Sequence, residues 1–125
     1  MSIHPTLRYT DARAAVEFLT STLGLQEQLV STDDAGTVVH AQLSHGDDVL
    51  MLGTRTDPPG PFDTGRASIY LAVDDADAAH DRAVAAGATI VMGLTDQPYG
   101  SREFAVTDAE GNTWSVGTYR PTVAP

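Results

Sequence analysis

The sequence contains the same order of predicted elements twice, and this repeat constrains the fold more than any other feature. Aligning Leu7 with Leu71 also aligns Asp11 with Asp75. Each copy begins with a short alternating stretch and continues with an aspartate-capped, alanine-rich helix that a glycine ends. Three strand-like stretches follow, separated by turns, most of them rich in Asp and Gly. Both halves therefore predict the order βαβββ.

The bounds of the predicted elements follow from their caps and turns. The first copy comprises a strand at Thr6–Tyr9, a helix from Asp11 to Gly24, and strands at Leu25–Ser31, Thr37–Ser44 and Asp47–Gly53. The second comprises a strand at Ser68–Val73, a helix from Asp75 to Gly87, and strands at Thr89–Leu94, Arg102–Thr107 and Asn112–Thr118. Proline-rich residues 54–66 cannot hold a helix or a central strand and predict a connector. The sequence thus predicts one domain of α+β class over residues 1–125, with modules at 3–53 and 67–120.

A four-stranded sheet with one helix buries only the side that the helix covers. Two such modules predict a curved mixed sheet whose other faces line a concavity. Strand alternation assigns Val39, Ala41 and Leu43 to the helix side. It assigns His40 and Gln42 to the opposite side. This polar face suits either a ligand site or an ordinary solvated sheet.

The acidic composition excludes several classes of function. Asp and Glu number 17 against 7 basic residues, all arginine, for a formal net charge of −10. Such a charge repels nucleic acid and anionic membranes and attracts cationic small molecules. The lack of lysine and cysteine removes Schiff-base chemistry, thiol nucleophiles and disulfides. With no signal peptide and no apolar run of roughly 18 residues, we expect a cytoplasmic protein.

Polar and aromatic side chains on the predicted strands are candidates for ligand contacts. Arg8 and Arg102 can pair with a carboxylate or stack on an aromatic ligand, or they form an internal ion pair with an acid such as Glu103. His40 can bind a ligand or act as a base near neutral pH, or it is satisfied by polar neighbours. The aromatic candidates are Tyr70, Tyr99, Phe62 and Trp114. Among them, strand parity favours the core for Trp114, and Phe62 lies in the predicted connector.

The opening stretch Pro5–Leu19 and the closing stretch Tyr99–Tyr119, together with the double βαβββ order, resemble the vicinal oxygen chelate superfamily. This superfamily contains glyoxalase I, extradiol dioxygenases, fosfomycin-modifying enzymes and bleomycin resistance proteins. The resemblance runs from Ile3 to Arg120, and the turn Asp108–Asn112 is its most specific part. It implies the glyoxalase/bleomycin resistance fold.

Enzymes of this superfamily hold a divalent metal with His, Gln or Glu from the first and last strands of each module. Carried over residue by residue, these positions fall on His4, Met51, Ser68 and Ser115. One imidazole, one thioether and two hydroxyls suit a divalent metal poorly. We therefore expect no metal cofactor, with His4 as the one remnant of a ligand set. A shift of one residue in the first strand would place Pro5 there instead.

The resemblance to the bleomycin-resistance branch implies metal-independent binding, or sequestration, of a cationic or aromatic small molecule in a groove at a homodimer interface. The predicted ligand-binding residues are Arg8, His40, Gln42, Met51, Tyr70, Tyr99, Arg102 and Ser115. Two alternatives stay open. One is a metal-dependent enzyme of the glyoxalase or dioxygenase type that uses His4, and the other is metal-free acid–base chemistry with His40 as the base.

Overall fold

The computed structural model describes residues 1–124, which divide into two compact units. The first unit is Met1–Ala67, and the second begins at Ser68. Each unit holds one helix and one four-stranded mixed sheet in the order βαβββ, which confirms the α+β class and the two modules. Among residues 1–124, no helix is long and apolar enough to cross a membrane.

The strand order is the same in both units. The first unit contains β1 (Thr6–Tyr9), α1 (Ala12–Ser21), β2 (Gln26–Thr32), β3 (Val38–His45) and β4 (Asp48–Thr54). The second contains β5 (Ser68–Ala72), α2 (Ala76–Ala85), β6 (Thr89–Asp96), β7 (Arg102–Thr107) and β8 (Thr113–Gly117). The sheets run β1-β4-β3-β2 and β5-β8-β7-β6. In each sheet the module's first and last strands pair in parallel, and the other pairs are antiparallel.

Both helices begin after a capping aspartate, as the sequence predicts. The carboxylates of Asp11 and Asp75 each accept a hydrogen bond of 3.0 Å from the backbone N–H three residues later. Such a cap stabilises a helix by about 1 kcal/mol. After the helices, Gly24 and Gly87 have φ of 75° and 80°, which glycine adopts without steric cost. Local sequence signals therefore determine where each helix begins and where the chain turns after it.

Each sheet packs its apolar side against its helix. The largest fully buried side chains of the first unit are Tyr9, Leu19, Leu43 and Leu52. The largest fully buried apolar side chains of the second unit are Phe104, Val106 and Trp114. The prediction that Trp114 belongs to the core is confirmed, since it is completely buried.

Val39 departs from the predicted alternation. Ser31 pairs with His40, but the next residue of β2, Thr32, pairs with Val38, so Val39 is an extra residue in the ladder. Such a bulge moves the neighbouring side chain to the other face of the strand. Val38 is accordingly buried and Val39 is 55% exposed. The prediction that Val39 faces the helix is therefore wrong.

Candidate functional site

The second unit has a cavity of about 660 Å³ on the side of its sheet that faces away from α2. Leu71, Phe104 and Val116 are buried on the helix side, so the preceding residue of each strand points to the other side. The residues that point to this other side, Tyr70, Glu103 and Ser115, line the cavity. Tyr99, Tyr119 and Pro121 complete the lining. Its volume lies within the range of roughly 300–1,000 Å³ typical of small-molecule sites.

A buried carboxylate lies in the wall of this cavity. Glu103 is 7% exposed. Its Oε1 accepts a hydrogen bond of 2.7 Å from the Tyr99 hydroxyl, and its Oε2 accepts one of 2.9 Å from the Ser101 hydroxyl. Among residues 1–124, no ion pair includes Glu103. The described partners of this buried carboxylate are therefore two neutral hydroxyl groups.

Three tyrosines line the cavity together with this carboxylate. Tyr70 donates a hydrogen bond of 2.7 Å to the backbone carbonyl of Tyr119. The rings of Tyr99 and Tyr119 meet edge to face, with centroids 5.9 Å apart. All three remain accessible, with exposed fractions of 36% for Tyr70, 60% for Tyr99 and 49% for Tyr119. Accessible aromatic rings beside a carboxylate are suited to bind a cation, because the ring faces and the negative charge of the carboxylate both attract it.

The phenol of Tyr99 stays protonated through the neutral pH range. Its hydrogen bond to Glu103 raises the pKa of Tyr99 above the usual value, and desolvation and the charges of Glu103 and Tyr70 act in the same direction. Tyr99 is therefore a hydrogen-bond donor to the carboxylate in the ligand-free protein.

A glycine in β8 makes room for the buried carboxylate. A Cβ atom on Gly117 would lie 2.5 Å from Cγ of Glu103 and 2.9 Å from the Tyr70 hydroxyl oxygen. Glycine inside a strand often marks such a close approach. Gly117 is thus part of the site, although it supplies no side chain.

The cavity brings together three of the sequence-predicted residues, Tyr70, Tyr99 and Ser115. It adds Glu103 and Tyr119, which sequence reasoning did not assign to a site. Glu103 lies opposite Gly117 in the β7–β8 ladder, and this pairing gives its side chain room at the cavity. The sequence does not specify this strand register, so it did not reveal Glu103.

The structure does not bring Arg102 into this cavity. Arg102 precedes Glu103 in β7, so its side chain points to the opposite face. There its guanidinium lies 3.2 Å from a carboxylate oxygen of Asp77 and 3.0 Å from one of Asp96. These carboxylates raise the pKa of Arg102 above its usual value. The internal ion pair that the sequence left open is present, but with Asp77 and Asp96 instead of Glu103.

The other four predicted residues lie in the first unit, on the side of the sheet that faces away from α1. Met51 pairs with Gln42 in the β3–β4 ladder and with Thr6 in the β1–β4 ladder. Arg8 follows two positions after Thr6, so it lies on the same side. His40 Nε2 is 3.1 Å from Oε1 of Gln42. The ligand-binding role of these four residues stays a prediction.

The loop after β4 is folded around Asp63. Its carboxylate accepts hydrogen bonds from the Thr56 hydroxyl at 2.6 Å and from the Gly60 N–H at 2.7 Å. The guanidinium of Arg8 lies 3.3 Å from the same carboxylate and 5.7 Å from the centre of the Phe62 ring. These contacts, led by the Thr56 hydroxyl and the Gly60 N–H, lower the pKa of Asp63 to about 2.

This depressed pKa predicts a pH-dependent contribution to stability. A carboxyl whose folded pKa lies below its unfolded value of 3.8 stabilises the fold above that value, and the contribution is lost as the pH falls through about 2. We expect Asp63→Asn to have a smaller free energy of unfolding than the wild type at pH 6. This gap in the free energy of unfolding should narrow towards pH 2. Urea unfolding across this range measures the gap. Asp34→Asn, which alters an exposed turn acid, is the control, and an equal gap for both variants would contradict the prediction.

Comparison with known proteins assigns the family. A family profile described as the Glyoxalase/Bleomycin resistance protein/Dioxygenase superfamily matches residues 2–116. The chain belongs to this superfamily. The resemblance of its opening and closing stretches is thereby confirmed, although membership alone does not select one reaction, because fold and function separate readily.

Relatives within the superfamily match over nearly the whole chain. Uncharacterised proteins of Mycobacterium bovis and Mycobacterium tuberculosis are 33% identical over 124 residues, covering 93% of this chain and 82% and 73% of those proteins. The crystal structure of TioX from Micromonospora sp. ML1 is 31% identical, with a TM-score of 0.77 over 94% of this chain and 97% of that one. Lactoylglutathione lyase from Agrobacterium tumefaciens is 22% identical, with a TM-score of 0.70 over 94% and 92%, and shares the fold.

The residues at the superfamily's metal positions do not fit a divalent metal. The resemblance places those positions on His4, Met51, Ser68 and Ser115. Both ring nitrogens of His4 are already engaged, Nδ1 at 2.8 Å from the Val49 carbonyl oxygen and Nε2 at 2.6 Å from the Ser2 hydroxyl. Within residues 1–124, no three His, Cys, Asp or Glu side chains are grouped as a metal site would require. The donor set therefore offers one imidazole, already hydrogen-bonded, and no carboxylate, whereas such metals prefer several ligands of these two kinds.

Proposed function

We propose that this protein binds a cationic aromatic small molecule, without a metal, in the tyrosine-lined cavity of its second unit. The observation that carries this proposal is Glu103, a buried carboxylate with two hydroxyl partners and no counter-ion among residues 1–124. Sequestration of the bound molecule fits this arrangement, because the cavity offers recognition groups and the chain lacks the superfamily's usual metal ligands.

The proposed ligand has two parts, and each part has partners in the cavity. The cation would be recognised by the Glu103 carboxylate, since a hydrogen bond to a charged group contributes about 1.5–3 kcal/mol. The aromatic part would lie against the exposed rings of Tyr70, Tyr99 and Tyr119, where a cation over a ring adds about 0.5–2 kcal/mol. The net charge of −10 also favours the approach of a cation.

Replacing Glu103 with glutamine tests the proposal. The probe is N,N-dimethyl-1-naphthylmethylamine, which is protonated at pH 7, and the neutral comparison is 1-naphthalenemethanol. We expect the wild type to bind the amine more tightly than the alcohol. Glu103→Gln should weaken binding of the amine by about tenfold or more, because the charged acceptor is lost. Isothermal titration calorimetry measures both affinities.

Glu27→Gln is the matched control, because it removes the same charge from an exposed position in β2. We expect this variant to bind the amine as the wild type does. Equal weakening by the two variants, or equal affinity for amine and alcohol, would show that Glu103 does not recognise a cation and would overturn the proposal.

The metal-free part of the proposal has its own test. Metal analysis of gently purified protein is expected to show no stoichiometric Ni, Zn, Fe or Mn, and chelation is expected to leave amine binding unchanged. A stoichiometric metal would favour the alternative, a metal-dependent enzyme of the glyoxalase or dioxygenase type.

We also propose that the protein is a homodimer, as the resemblance to the bleomycin-resistance branch implies. Sedimentation velocity at several protein concentrations, with and without the amine, measures the oligomeric state. A monomer under all these conditions would contradict this part of the proposal while leaving the cavity as a site of the single chain.

A further inference from the structure

We infer that the bound cation carries an N–H group and displaces the Tyr99 hydroxyl from Glu103, so that the site selects protonated amines over quaternary ammonium ions. This inference rests on the proposed function and specifies the ligand class of the same cavity. It follows from the different ways in which the two oxygens of the carboxylate are held.

One oxygen of Glu103 is held by a partner that cannot leave. Its Oε2 accepts a hydrogen bond from Ser101, whose side chain is 1% exposed. The Ser101 hydroxyl oxygen also accepts a hydrogen bond of 3.0 Å from the backbone N–H of Tyr119. Moving Ser101 would therefore break two hydrogen bonds in a closed part of the fold.

The other oxygen is covered by a partner that can leave. Its Oε1 accepts from Tyr99, which is 60% exposed and belongs to the turn between β6 and β7. The backbone of this turn is closed by hydrogen bonds from Gln97 N–H to Ser101 O and from Gly100 N–H to Gln97 O. Rotation of the Tyr99 side chain towards solvent would leave these backbone bonds intact. A ligand can thus reach Oε1 by replacing one hydroxyl.

This geometry discriminates between two kinds of cation. A protonated tertiary amine has one N–H, which can take the place of the Tyr99 hydroxyl on Oε1 as a charge-assisted donor. A quaternary ammonium ion has no donor and presents only methyl groups. It would leave Tyr99 on the carboxylate, which is itself only 7% exposed, and would contact the tyrosine rings alone.

Two matched probes test the inference. N,N-dimethyl-1-naphthylmethylamine and its quaternary N-methyl derivative have the same ring and charge and differ by one methyl group in place of a proton. We expect the wild type to bind the amine about tenfold more tightly than the quaternary ion, as measured by calorimetry at pH 7.

The Tyr99→Phe variant tests whether the amine displaces the Tyr99 hydroxyl from Glu103 or only lies near it. It has no hydroxyl to displace, so we expect the amine to bind about fivefold more tightly than in the wild type, with a smaller gain for the quaternary ion, which has no N–H to donate. Tyr70→Phe is the matched control, because the Tyr70 hydroxyl bonds to the Tyr119 carbonyl and not to Glu103. Tyr70→Phe should leave the ratio between the affinity for the amine and the affinity for the quaternary ion as it is in the wild type.

The outcomes distinguish this inference from the proposed function. Equal binding of the two probes by the wild type, or weaker amine binding by Tyr99→Phe, would overturn the inference. If the inference failed but Glu103→Gln still weakened the binding of both probes, the proposed function would stand. If Glu103→Gln left both probes unaffected, or if neither probe bound the wild type, the proposed function and the inference would fail together.

Discussion

Replacing Asp108 with alanine is expected to destabilise the protein by about 3–5 kcal/mol, because buried donors lose their acceptor. Oδ1 of Asp108 accepts hydrogen bonds from the backbone N–H groups of Glu110 at 3.0 Å and Asn112 at 2.9 Å. Its Oδ2 accepts from the Asn112 amide at 2.9 Å and from the Trp114 indole at 3.2 Å. Asn112 is 5% exposed and Trp114 is completely buried, so these donors lie away from bulk water.

Urea unfolding followed by the fluorescence of Trp114 measures this loss. Asp47→Ala is the control, since Asp47 is an exposed aspartate in the turn between β3 and β4. Asp108→Asn keeps one acceptor oxygen and should lie between the wild type and Asp108→Ala. A loss for Asp108→Ala no larger than that for Asp47→Ala would show that the turn does not depend on this carboxylate.

Replacing Gly117 with alanine is expected to reduce both stability and amine binding. The new Cβ would lie 2.5 Å from Cγ of Glu103, which must then move away from the Tyr99 and Ser101 hydroxyls that hold it. Overpacking of this kind costs about 1–3 kcal/mol. Because the carboxylate leaves its binding position, we expect the affinity for the naphthylmethylamine probe to fall by about tenfold or more, as in Glu103→Gln.

Gly93→Ala is the matched control for this substitution. Gly93 lies in β6, its φ is not in the left-handed region, and no atom lies within 4 Å of a Cβ built there. Thermal unfolding and calorimetry of the two variants compare the effects. Amine affinity as high in Gly117→Ala as in Gly93→Ala would contradict the role assigned to the close contact between β7 and β8.

The element order and the helix starts were predictable because they depend on neighbours in the chain. Asp11 and Asp75 cap the helices from the adjacent turn, and glycines with positive φ follow them. The acidic turns were recognisable for the same reason, since Asp33 and Asp108 bond to backbone N–H groups a few residues later. Family membership was also recognisable, because the opening and closing stretches keep the superfamily's pattern.

The candidate site was predictable only in part. Tyr70, Tyr99 and Ser115 were expected to contact a ligand, and the structure places all three at one cavity. Arg102 and Glu103 are adjacent in β7, and alternation shows only that they face opposite sides. The pairing of Glu103 with Gly117 puts the carboxylate at the cavity and leaves Arg102 on the helix side.

By itself, the sequence determined the two βαβββ modules and the superfamily. These depend on local caps, turns, strand periodicity and residue identity. Only the tertiary structure decided that Val39 forms a bulge and that Glu103, bonded to Tyr99, lines the cavity of the candidate site. The physical reason is that strand register is set by contacts between residues far apart in the chain. A shift of one residue exchanges the two faces of a strand, and with them a core side chain and a ligand contact.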